Sequence, residues 1–273
     1  MILLGTSSAP GRPRGRYVAG SAAHPARMAP DLAATLIRAY SQPGDLVLDP
    51  LAGAGTTLVE ALHLGRNALG LTDDPGWTAL ARANIAHARR QGANGHARVL
   101  AGEPTRLPAG VPAELHGQVT LVLTNAPPRR TISVSTRRDR SDTAGGAPYP
   151  AKRHRMQLLD GLTAVLAGCV PLLTPAGILA VASRPWYRDA TLTDPTAQII
   201  HAGHSAGLIL VACHRAVHDR IPHRRVAASR DVDVALDGRK HHDATQVLVR
   251  HDDIAVFRAS PDPARLGSPE PPR

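Results

Sequence analysis

Short apolar runs alternate with helical patterns along most of the chain. Asp31–Tyr40 sets Leu32, Leu36 and Ile37 at helical spacing behind Pro30, and Pro43-Gly44 breaks the pattern. Leu46–Leu48 reads as a buried strand ending in Asp49, followed by a glycine-rich turn and a helix over Thr56–Leu64 that Gly65 stops. Asn67–Leu71 is the next strand, and Asp74–Arg90 a long helix closed by Gly92. Arg98–Leu100 and Val119–Leu123 read as strands, Met156–Leu173 as a helix and Gly177–Val181 as a strand. A helix over Thr193–Ala206 and strands at Leu208–Val211 and Ile254–Phe257 complete the series. This alternation predicts an α/β fold with a mostly parallel sheet and helices on both faces. Ligands of such sheets sit beyond the carboxyl ends of the strands, at the point where strand order reverses. The residues just after each strand are therefore the candidates for function.

The two ends lack this periodicity. Residues 1–23, rich in Gly, Pro, Ser and Arg, read as a flexible arm, and 260–273, with its prolines, as a disordered tail. The domain is expected over 24–259, with a basic insertion at 129–155 and an irregular one at 214–250. Aromatics are only 3% of 273 residues, so the core must be aliphatic. No stretch reaches the ~20 apolar residues of a membrane span, and Ile2–Leu4 is too short for a signal peptide. Cys169 and Cys213 lie in apolar surroundings outside any CxxC pair, as expected of buried thiols in a reducing compartment. A cytoplasmic protein without membrane contact is the expectation.

The formal charge of +10 attracts polyanions, nucleic acid foremost. Of the 32 cations only Lys152 and Lys240 are lysines, an arginine bias that a G+C-rich coding sequence produces whatever the function. His214 and His218, and the adjacent His241-His242, have no Glu or Cys at zinc spacing, so no metal is expected.

The turn Asp49-Pro50-Leu51-Ala52-Gly53-Ala54-Gly55-Thr56-Thr57 has two glycines where the backbone must turn tightly against a ligand. It lacks the Gly-Lys-Ser/Thr of a P-loop. Leu58 stands where a nicotinamide dinucleotide site wants a third glycine. S-adenosyl-L-methionine needs only the short turn, and a leading carboxylate suits its cationic amino-acid end. An ordinary strand-to-helix turn is the reading without a ligand.

The wider series resembles the N-4/N-6 DNA methylase family. It runs from His24-Pro25-Ala26-Arg27-Met28-Ala29-Pro30 through Tyr40-Ser41-Gln42-Pro43-Gly44-Asp45 into the turn, then to Glu60-Ala61 and Gly65-Arg66. The resemblance is densest over His24–Ile85, and His251–Arg258 is similar to the closing strand of actinobacterial members. It implies a Rossmann-like class I methyltransferase fold with a seven-stranded, mostly parallel sheet and S-adenosyl-L-methionine as cofactor. It also implies methylation of an exocyclic base amine, adenine or cytosine in DNA ahead of RNA, with a branch acting on tRNA guanine. Asp49, Pro50, Gly53, Gly55, Thr56 and Thr57 would form the cofactor loop. Thr72 falls where the family has an acid for the ribose, with Asp73 as substitute, and Glu103 falls near the adenine amine.

The family closes its fourth strand with Asp/Asn/Ser-Pro-Pro-aromatic, and this chain has Thr124-Asn125-Ala126-Pro127-Pro128-Arg129. In the ungapped register Asn125 is the amine acceptor, Ala126 replaces the first proline, Pro127 keeps the second, and Pro128 replaces the aromatic. A one-residue shift would put Ala126 in the acceptor place instead. An acceptor oxygen localises the amine lone pair toward the methyl group, and prolines position the acceptors in advance. Neither register supplies the ring on which a flipped base stacks, although Arg129 can stack in its place. A degenerate relative that binds cofactor or nucleic acid without transfer is the alternative.

Overall fold

A computed structural model describes residues 2–5, 15–24, 27–126, 151–188, 191–217 and 251–260. In chain order the elements are β1 (Ile2–Gly5), α1 (Pro30–Tyr40), β2 (Leu46–Asp49), α2 (Thr56–His63), β3 (Asn67–Thr72), α3 (Pro75–Arg90), β4 (Ala97–Ala101) and β5 (Val119–Asn125). Then come α4 (Ala151–Cys169), β6 (Leu173–Ser183), the small hairpin β7 (Trp186–Arg188) and β8 (Thr191–Thr193), α5 (Thr196–Ser205), β9 (Leu208–Val217) and β10 (His251–Ala259).

The main sheet runs β1-β9-β10-β6-β5-β2-β3-β4. Seven of these strands are the expected set. β10 alone is antiparallel, to both β6 and β9, and β1 adds an eighth strand parallel to β9 through Ile2–Gly5 against His214–Val217. The chain builds outward from β2 to β3 and β4, then returns to lay β5 and β6 on the other side. Strand order therefore reverses between β2 and β5, whose register pairs Leu48 with Val122. Asp49 and Asn125 end these two strands side by side at the carboxyl edge.

Each face carries its own core. Leu32, Leu36 and Ile37 of α1, Leu58 and Leu62 of α2 and Ile85 of α3 cover one face. Leu162 and Leu166 of α4 and Ile199 of α5 cover the other. Phe257, the chain's one phenylalanine, is fully buried there, worth about 1.5–3 kcal/mol. A Cβ on Gly203 would come within 2.4 Å of the Phe257 ring, so this glycine lets α5 seat on β10.

Three sequence expectations change. Residues 15–23 are not a loose arm: Arg16 and Tyr17 bond the carboxylate of Glu60, at 2.7 and 2.6 Å, and the Val18 amide donates to Asn84 Oδ1 at 2.9 Å. Asn84, fully buried in α3, donates in turn to the Ala54 carbonyl of the glycine turn. Residues 214–217 continue β9 rather than opening an insertion, and 151–155 begin α4. Cys169 is buried, with its thiol pKa pushed up by that burial, whereas Cys213 is exposed on β9, past the irregularity in its pairing with β10. The remainder of the two insertions, the tail beyond Ser260, and His218, His241 and His242 lie outside the described residues.

Candidate active site at the carboxyl edge

The turn after β2 is shaped by its own backbone. Gly53 has φ 48° and Gly55 φ 82°, the left-handed region that glycine enters without a Cβ penalty. The Gly55 amide bonds the Ala52 carbonyl at 2.7 Å, and the Ala52 amide reaches across to the Leu71 carbonyl of β3 at 2.9 Å. The turn is thereby tied to the end of the neighbouring strand. Thr56 and Thr57 begin α2 and are buried.

Asp49 is 4% exposed and surrounded by neutral donors. The Leu51 amide donates to Asp49 Oδ1 at 3.0 Å, the Thr124 hydroxyl to the same oxygen at 2.9 Å, and Thr57 adds a third bond. Burial outweighs these donors and raises the carboxyl pKa from 3.8 to about 6. Among the described residues no cation offsets the desolvation. A buried carboxylate of this kind is the complement of an ammonium group.

Asn125 lines the same small cavity as Asp49, Thr56 and Thr57, with His24, Arg27 and Met28 opposite. The His24 ring lies over Gly53, where an added Cβ would come 2.4 Å from Nε2. It meets the Trp77 indole edge-on at 4.6 Å, and burial lowers its pKa, with the Asp74 carboxylate partly offsetting this. The ring narrows the cavity to about 10 Å³, room for one water. A wider cavity of about 500 Å³ opens beyond β3 and β4, between Leu71, Gly102, Glu103 and Arg106.

Pro50 is buried in the turn behind Asp49. Thr72 ends β3, 5% exposed, and the Asp74 amide donates to its hydroxyl at 3.4 Å. Asp74 caps α3 by accepting from the Trp77 amide at 2.8 Å, and Asp73 is exposed. Glu103 lines the wide cavity, accepts from Thr105 at 3.0 Å and pairs with Arg106 at 3.0 Å. Pro127 and Pro128 lie outside the described residues. The structure thus brings Asp49, the glycine turn, the two threonines and Asn125 together, with Thr72 and Glu103 further along the edge. Sequence reasoning gave no role to His24, Arg27, Met28 or Thr124. The first three sit in the His24–Pro30 segment that carries the resemblance, and Thr124 directly precedes the candidate acceptor.

Residues 6–80 match the N6_N4_Mtase family model, described as DNA methylase. Among solved structures, TrmN from Thermus thermophilus aligns over 88% of this chain and 51% of its own, with 20% identity and a TM-score of 0.52. The chain therefore spans about half the length of TrmN. Precorrin 8w decarboxylase from Methanobacterium thermoautotrophicum aligns over 90% of this chain and 97% of its own, with 11% identity and a TM-score of 0.51. A TehB-like SAM-dependent methyltransferase from Corynebacterium glutamicum aligns over 88% and 92%, with 15% identity and a TM-score of 0.48. The cofactor of this fold and family is S-adenosyl-L-methionine, and the buried Asp49 carboxylate beside a positive-φ glycine turn fits its ammonium end. The resemblance to the N-4/N-6 DNA methylases therefore holds over residues 6–80, carried on a class I S-adenosylmethionine-dependent methyltransferase fold.

Proposed function

We propose that the protein methylates an exocyclic amine of a nucleic-acid base, adenine or cytosine in DNA. The observation that carries this reading is the position of Asn125, at the end of β5 and on the lining of the cavity that holds Asp49. Bound there, the cofactor would supply an electrophilic methyl group carried on a cationic sulfur, leaving a neutral thioether. Asp49, with the turn through Pro50, Gly53 and Gly55, holds the amino-acid end, and Thr56 and Thr57 close the floor. Thr72, Asp73 and Glu103 flank the nucleoside end. The Asn125 carboxamide oxygen accepts a hydrogen from the target amine, so its lone pair points at the methyl carbon. The amine would gain the methyl group, and its surplus proton would leave to water. Pro127 and Pro128 are assigned to shaping the loop beyond it.

Ala126 stands where the family has a proline. Its amide donates to the Ala182 carbonyl of β6 at 2.7 Å, a bond proline cannot make. The strand ladder is extended by one residue, and this supports a fixed Asn125 backbone without the ring.

Labelled-methyl transfer to genomic DNA and to bulk tRNA tests the proposal. Wild type labels DNA, and Asn125→Ala lowers the rate about 10²–10³-fold while calorimetry shows cofactor binding intact. A mutant as active as wild type overturns the assignment. One observation favours a binding protein without transfer: Asp74 is turned to capping α3 and Asp73 to solvent, so neither is buried at the ribose position. Cofactor binding with no transfer to either nucleic acid is the result that reading expects.

A further inference from the structure

Two sets of arginines stand out among the described residues. Arg16 pairs with Glu60 at 2.7 Å, Arg184 with Asp252 at 2.8 Å, Arg215 with Asp253 at 2.8 Å and Arg106 with Glu103 at 3.0 Å. The second set occupies α3 and β4. Between Asp74 and Glu103 the chain has no Asp or Glu but four arginines, Arg82, Arg89, Arg90 and Arg98. All four are exposed, and among the described residues none is paired with a carboxylate.

Three of them line one groove. Arg82 and Arg89 of α3 and Arg98 of β4 surround a cleft of about 430 Å³ floored by Ile85, Val99 and Leu100. Among the described residues no acid lines it. Arg82 and Arg89 are two helical turns apart, about 10 Å along one face of α3. They are too far apart to grip a single phosphate and well placed to touch successive ones. β4 is the edge of the sheet, and Leu100 lines both this groove and the wide cavity containing Glu103. The cationic groove therefore adjoins the cavity at the carboxyl ends of β3 and β4.

We propose that this α3–β4 face docks the sugar-phosphate backbone of duplex DNA; the inference rests on the nucleic-acid methyltransferase reading above and names where its substrate is held. Charge complementarity selects the occupant. Unpaired guanidiniums attract a polyanion and release its counterions, and they fix register while leaving sequence readout to other residues. An anionic membrane fits less well. The exposed large hydrophobics among the described residues are Ile209 and Val211, both on β9, so this face has no apolar anchor for lipid.

The test compares the full-length protein with the triple variant Arg82→Gln, Arg89→Gln, Arg98→Gln and with the charge-preserving triple lysine variant. Anisotropy of a labelled mixed-sequence DNA duplex is followed as salt rises from about 50 to 200 mM. The glutamine variant is expected to bind about tenfold or more weakly, with a log–log salt slope shallower by about 2.7, or ~0.9 per lost contact. The lysine variant keeps the wild-type slope, and calorimetry with S-adenosyl-L-methionine is unchanged in both. A glutamine variant with the wild-type slope overturns the proposal and leaves the functional reading standing. Wild type that binds a structured RNA or anionic vesicles but not the duplex overturns the choice of occupant. Wild type that binds no nucleic acid overturns this proposal and the functional reading together.

Discussion

At the end of β2 the chain holds its own carboxylate. The Leu51 amide, the Thr57 hydroxyl and the glycine turn that shapes the pocket all lie within eight residues of Asp49. At the end of β5 the corresponding fixings come from far away. Ala126, next to Asn125, bonds to Ala182, and Thr124 bonds back to Asp49. The first pole is a local device that survives in a short stretch of sequence. The second depends on the sheet being assembled. The family match, over residues 6–80, covers the first pole and not the second.

The sharpest way to break the local pole is Asp49→Asn. It removes the charge that complements an ammonium group, so cofactor affinity measured by calorimetry should fall about tenfold to a hundredfold. The melting temperature should hold or rise, because the buried charge is costly in the protein without cofactor. If affinity survives, Asp49 is not the complement of the amino-acid end.

Gly53→Ala comes next. It places a Cβ at φ 48° and 2.4 Å from His24, and denaturant unfolding should show a loss of about 2 kcal/mol or more. Adding His24→Ala should restore the part due to the clash and leave the backbone part. Additive losses in that cycle would show that the two residues are not in contact.

Acidity acts on the same pole. A cationic ligand prefers ionised Asp49, so affinity should be flat above about pH 7 and fall about tenfold for each unit below 6. Stability without cofactor runs the other way. The folded carboxyl keeps its proton up to about 6 and the unfolded one only to 3.8, so Asp49's contribution declines between these values and is level above them. Thermal scans across that range, compared with Asp49→Asn, isolate the contribution.

The smallest effect tests the link between the poles. Thr124→Val keeps the shape and removes the donor to Asp49, and should cost about 1 kcal/mol in stability. It should also raise the Asp49 pKa further, moving the affinity profile to higher pH. An unmoved profile would uncouple the strands.

Legibility in the sequence follows the same division. Strands β2, β3, β5 and β6 announce themselves by apolar runs, because a strand buried on both faces needs one, while the edge strand β4 alternates buried and exposed positions. The glycine turn and Asp49 are readable because their geometry is set within a few residues. The reversed direction of β10 has no local signature, since alternation looks alike in both directions. The exposure of Cys213 is a tertiary fact, set by the irregular pairing of β9 with β10 rather than by its apolar neighbours in sequence. Residues 15–23 look unstructured because their anchoring is polar and remote: Arg16 and Tyr17 meet Glu60, and Val18 meets Asn84, across more than forty positions. Thr72 and Asp73 show a further limit. The sequence supplies acids near the end of β3, and only the structure shows Asp74 spent on capping a helix.

The bonds from Arg16 and Tyr17 to Glu60 also govern how far the protein can be trimmed. Glu60 is 1% exposed, and both partners come from the segment ahead of His24. A protease cut or an engineered truncation just before His24 would keep every residue of the cofactor turn. It would nevertheless strand a carboxylate inside the wall that supports that turn, so the smallest autonomous piece of this protein begins upstream of its first recognisable motif.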